Sequence, residues 1–261
     1  MRRASTRLVL LGLAAAALSL PAAAGAAPTV TLTVKAVPIP VNPASNGGAT
    51  YPGTGNILKA GTDVETEFHI SGTEYGGFPS PLVGVTFYTP AGSKLDTSGF
   101  TTCPMATLES HEVQKCPKKS IAGPQGRAEG VVAFGGTRVH ESLTVQPFFE
   151  PGGGLGFFAE GRSPASIELL SSGKFTTGSG AFGPVLSAEV PLVITVPEAP
   201  YGSVEFIKVK VGAAFKKGKK LISYGTLPGK CPKGGFPVKA ELKFYSGETV
   251  TVNVKAPCPK K

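Results

Sequence analysis

The chain is 261 residues long, with a formal net charge of +9, 35 glycines, 24 prolines, four cysteines and no tryptophan. Only 16% of residues are charged, which argues against an ordinary solvent-exposed helical protein, and the length suffices for one large β domain or two small ones. The charge is lopsided: residues 208–261 carry thirteen lysines against Glu241 and Glu248, whereas residues 28–207 carry ten basic and fifteen acidic groups.

Residues 1–26 read as a secretory leader. Arg2, Arg3 and Arg7 precede an apolar stretch from Leu8 to Leu20, and Ala24-Gly25-Ala26 matches the small-residue cleavage pattern. The stretch is shorter than the roughly 20 residues that span a bilayer, so no transmembrane segment is expected after processing. No cysteine lies near the cleavage point to direct lipid attachment, and Pro259-Lys260-Lys261 gives no C-terminal apolar tail. The expected location is therefore extracellular or cell-wall associated, with residues 27–261 forming the mature domain.

The recurring period along that domain is two. Val30, Leu32, Val34 and Ala36 alternate with Thr29, Thr31, Thr33 and Lys35, and Val64, Phe68 and Ile70 alternate with Asp63, Glu65, Glu67 and His69. Such alternation marks half-buried antiparallel strands. Between these two runs, residues 38–56 hold four prolines and four glycines and predict a long loop or linker. Further strands are expected near 82–89, 128–134, 138–146, 155–160, 165–170 and 220–227. Leu186 to Val196 and Ile207 to Val211 add two more alternating runs. Pro104 to about Ser110 is the one helix candidate, since proline suits a helix start. Phe236 to Phe244 and Val250 to Ala256 predict a hairpin with Phe244 opposite Val250 across an odd-length connection. Many short strands separated by glycine and proline turns indicate an all-β, antiparallel β-sandwich, jelly-roll-like topology being one form of it.

Cys103, Cys116, Cys231 and Cys258 all lie in the exported region, so two disulfides are expected. The local pairing Cys103–Cys116 and Cys231–Cys258 follows from the elements. The hairpin brings Cys258 back towards Cys231. A continuous helix from 103 to 116 would hold its ends about 20 Å apart, against a limit of about 7 Å for a disulfide, so the short helix must double back. No C-x-x-C spacing favours zinc. Each cysteine precedes a proline, as in Cys103-Pro104, Cys116-Pro117, Cys231-Pro232 and Cys258-Pro259. With the alanine-rich leader, this layout resembles uncharacterised secreted β-rich proteins of actinobacteria. The resemblance implies export and assigns no activity.

Motifs for chemistry are sparse. Gly178 to Gly183 fits G-x-G-x-x-G, but an alternating run follows it where a dinucleotide site needs a helix. His69 beside Glu65 and Glu67 reads as a solvated strand face or as a small acid–base or metal patch. His140 and Glu141 alternate onto opposite faces. Neither a metal nor a cofactor is expected. Lys208, Lys210, Lys216, Lys217, Lys219 and Lys220 form either a solvated lysine face or a site for an anionic cell-wall polymer. The absence of arginine in this region argues against nucleic acid. The expected function is that of a secreted, non-enzymatic binding module associated with the envelope. The alternatives are a structural or adhesive surface protein, which would lack a pocket, and a carbohydrate-active enzyme, which would show two convergent carboxylates and stacked tyrosines.

Overall fold

The computed structural model describes residues 27–38, 61–217 and 220–258; the leader 1–26 and loop residues 39–56 lie outside the described residues. The strands are β1 (Thr29–Pro38), β2 (Thr62–Ser71), β3 (Leu82–Pro90), β4 (Lys94–Leu95), β5 (Gly126–Phe134), β6 (Thr137–Phe149), β7 (Leu155–Gly161) and β8 (Ile167–Thr177). They continue with β9 (Phe182–Glu189), β10 (Ser203–Val211), β11 (Ala214–Lys217), β12 (Lys220–Ser223), β13 (Gly225–Thr226), β14 (Phe236–Phe244) and β15 (Thr249–Ala256). Among the described residues the one α-helix, α1 (Met105–Glu109), follows Pro104, whose carbonyl accepts the Thr107 and Leu108 N–H groups.

Eleven strands form one sheet in the order β1-β2-β10-β5-β6-β7-β8-β9-β3-β14-β15. Every pair in it is antiparallel. The sheet rolls over so that β1 and β15, at opposite ends of the order, lie against each other. The result stands between a barrel and a sandwich. Directly paired residues share a face, so register propagates one inward row around the roll. Leu32 faces Phe68, Phe68 faces Ile207, and Ile207 faces Ala128. The row continues through Leu143 on β6, while Ala159, Leu169, Ala188, Val85 and Leu242 carry it round the far side. Phe68, Leu82, Phe236, Val238, Leu242 and Phe244 pack together where the two sheet ends meet. Outward rows hold threonine, lysine and glutamate on β1, β2, β14 and β15, and Phe148, Phe158 and Leu170 where α1 covers β6 to β8. Among the described residues, no helix is long and apolar enough to cross a membrane.

Both disulfides form as expected, with Cα separations of 5.1 Å for Cys103–Cys116 and 5.8 Å for Cys231–Cys258. The first pins α1 and the turn after it over β6 and β7, where Leu108, Phe148 and Phe158 bury it. Two details depart from the sequence reading. In the last hairpin Leu242, not Phe244, lies opposite Val250, because the connection closes over three residues with Gly247 at φ +94. A three-residue loop with glycine in the left-handed region is a favoured hairpin closure. The slip is two positions, so every side chain keeps its face.

The second departure is the run 186–196, which is not one strand. β9 ends at Glu189, and the next four residues include Pro191, which cannot donate to a ladder. Past it the inward parity switches. Val193 packs against Val132, Ala165 and Ile167, while Leu192, Ile194 and Val196 turn out to solvent. The segment 190–202 thus leaves the sheet and straps one end of the roll. Val190 N–H donates to Val83, Gly202 N–H donates to the Val193 carbonyl, and the Thr195 hydroxyl donates to Ala133.

Candidate ligand-binding cavity

The inward rows do not fill the space they enclose. A cavity of about 270 Å3 runs through the roll, lined mainly by valine, leucine, isoleucine and phenylalanine side chains. Thr62, Val211 and Tyr224 stand at one end; Glu141, Val193 and Ser203 stand at the strapped end. Concave, mostly apolar spaces with a few convergent polar groups are the usual form of a small-molecule site. A second concavity of about 860 Å3 lies at the strap, between residues 164–172 and 189–196, and is of mixed polarity.

The polar exceptions in the inner cavity are informative. Glu141 is 1% exposed, and its Oε2 accepts the Ala165 N–H at 3.0 Å. Its Oε1 and the Thr62 Oγ1 are buried without a hydrogen-bond partner; the Ser203 Oγ is also buried and unpaired, but Ser203 pairs with Val131 in the outward row of His140. Glu129, the other acid along the cavity, pairs outward with Arg127 at 3.5 Å. One carboxylate therefore faces the interior where glycoside hydrolysis would need two.

The sequence-predicted site residues are elsewhere. Lys208 and Lys210 sit on the outer face of β10, directly opposite Glu67 and Glu65 of β2. Lys208 Nζ lies 2.9 Å from Glu67 and 3.5 Å from Glu65, and Lys210 lies 3.3 Å from Glu65. The hydrogen bond from Lys208 holds the Glu67 carboxyl below its usual value, and the same bond raises Lys208. Burial pushes Glu65 up, but the hydrogen bonds and charges of Lys210 and Lys208 outweigh it and leave the carboxyl lowered. Two of the six candidate lysines are thus neutralised by carboxylates. The backbones of Lys216, Lys217 and Lys220 lie in β11 and β12, and Lys219 lies outside the described residues.

His69 hydrogen-bonds Glu67 at 3.1 Å and meets the Phe206 ring edge-on. Among the described residues no three His, Cys, Asp or Glu side chains gather as a metal site would require. Gly178 to Gly183 is the turn between β8 and β9, closed by Gly178 N–H on the Gly183 carbonyl. Among the described residues the tyrosines build no flat platform. Tyr75 and Tyr201 each meet Tyr245 edge-on, Tyr224 is buried against Phe100 and Phe149, and Tyr88 donates to Glu241. Tyr51 lies outside the described residues.

No protein-family model, curated protein or solved structure matches the chain.

Proposed function

We propose that the chain is an exported, non-enzymatic binding protein that holds a small apolar molecule inside its rolled sheet, at the cell envelope or outside it. The cavity carries this reading. Keeping about 270 Å3 free of side chains costs on the order of 6 kcal/mol at roughly 24 cal/mol per Å3. That rivals the net stability of a whole domain, about 5–15 kcal/mol. An apolar ligand recovers that cost on binding. The leader pattern and the four oxidised cysteines support export. A pocket of this kind favours binding over a purely adhesive role, and the single interior carboxylate favours binding over glycoside hydrolysis.

Titration of the processed protein with the apolar fluorophore N-phenyl-1-naphthylamine tests the reading. One probe should bind per chain, with emission shifted to the blue. Ala159→Phe fills the space beside Val145 and Leu169 and should abolish uptake, as should the milder Ala128→Leu. An absence of uptake by the unaltered protein, or equal uptake by both variants at unchanged circular dichroism, overturns it.

A further inference from the structure

We infer that Glu141 is the polar anchor of this cavity, and that the ligand is an amphiphile with an apolar body and one uncharged or cationic hydrogen-bond donor, an alcohol or an amine. The inference rests on the binding reading above and specifies its chemistry.

Glu141 occupies an inward position of β6, in phase with Leu143 and Val145, where an apolar residue would cost nothing to bury. Its Oε2 is fixed by the Ala165 N–H, which sets the orientation of the carboxyl group. Oε1 is left buried and unpartnered, and no ion pair to Glu141 occurs among the described residues. Buried polar atoms are nearly always paired, so an exception calls for an explanation, and a missing ligand group is one.

The surroundings keep that oxygen accessible to a ligand. Gly130 on β5 lies directly opposite Glu141. On the other flank a Cβ at Gly161 would sit 2.8 Å from Oε1, so any larger residue would take the space beside the carboxylate. From Glu141 the cavity runs inward past Leu143, Val145, Ala159, Leu169 and Ile207 towards Thr62 at the far end, and Glu129, the other acid along it, pairs outward with Arg127. The site thus has a polar end and an apolar barrel. A carboxylate accepts hydrogen bonds, and when ionised it cannot donate. It favours a hydroxyl or ammonium headgroup and repels a fatty-acid carboxylate.

The test compares decylamine, decanol and decanoate as competitors of N-phenyl-1-naphthylamine on the processed protein at pH 7. The amine and the alcohol should each displace the fluorophore at concentrations at least about tenfold lower than decanoate. Glu141→Gln should narrow the gap between amine and decanoate about tenfold. Should the fluorophore bind while all three competitors act equally in the unaltered protein, the anchor is refuted and the binding reading stands. Should the fluorophore fail to bind, both fall. The competitor series on the unaltered protein decides the matter even if a variant does not fold.

Discussion

Asp63 is fully buried on β2, and neither of its carboxylate oxygens has a hydrogen bond. Gly212 packs directly on it, so that a side chain there would collide with the carboxyl group. Burial pushes its pKa from 3.8 up to about 7, with the charge of Lys210 pulling the other way. The folded value lies above the unfolded one, so the folded chain binds the extra proton between about pH 4 and pH 7. The stabilisation is full below pH 4 and is lost as pH rises through 7. Three pH units correspond to at most about 4 kcal/mol. Urea denaturation at pH 5 and pH 8 should therefore show the unaltered protein losing stability over that interval, and Asp63→Asn losing much less. Parallel pH profiles would contradict this. Glu141 was legible at this scale only in part. Its place in step with Leu143 and Val145 is a period-two signal that an acid faces inward, and the opposite facing of His140 follows from the same spacing. That one of its oxygens goes unpaired depends on neighbours contributed by β5, β7 and residue 165.

Strands were legible wherever one face meets water and the other the core, as in β1, β2, β10 and β14. The signal failed at 190–196, where Leu192, Ile194 and Val196 continue the alternation of β9 but Pro191 ends the ladder and reverses the parity. Alternation measures the pattern of side chains and is blind to whether a partner strand exists. The hairpin register erred by two for a related reason. Face-sharing fixes register only modulo two, and loop chemistry at Gly247 decides the rest. The disulfide pairing survived that slip because the open end of the hairpin still returns to Cys231. That staple closes a separation of 27 residues and the Cys103–Cys116 staple one of 13. On the chain-entropy relation they stabilise by about 3.5 and about 3 kcal/mol respectively. Replacing Cys231 and Cys258 together by serine should lower the urea midpoint accordingly, and the Cys103, Cys116 pair somewhat less. Unchanged midpoints for both double variants would show that the staples do not constrain the unfolded chain.

The order of strands in the roll was not readable from the chain. Local hairpins such as β5–β6, β6–β7 and β7–β8 follow from short turns. The insertion of β10 between β2 and β5, and of β3 between β9 and β14, joins segments far apart in sequence. Nothing in a strand's own alternation names its distant partner. The lysine-rich C-terminal region illustrates the consequence. Read as sequence, Lys208 and Lys210 belong to a basic block; in the fold they face the acidic row of β2, and the charges largely cancel. The cavity likewise belongs to the whole molecule, since it depends on how the inward rows of eight of the sheet's strands, β2, β3 and β5 to β10, enclose a volume larger than their side chains fill. Crystals of the processed protein pressurised with xenon address that volume directly, because xenon enters apolar cavities of protein interiors. The account predicts xenon density among Phe68, Val145, Leu169 and Leu186; an interior without xenon, closed up by side chains, would contradict it.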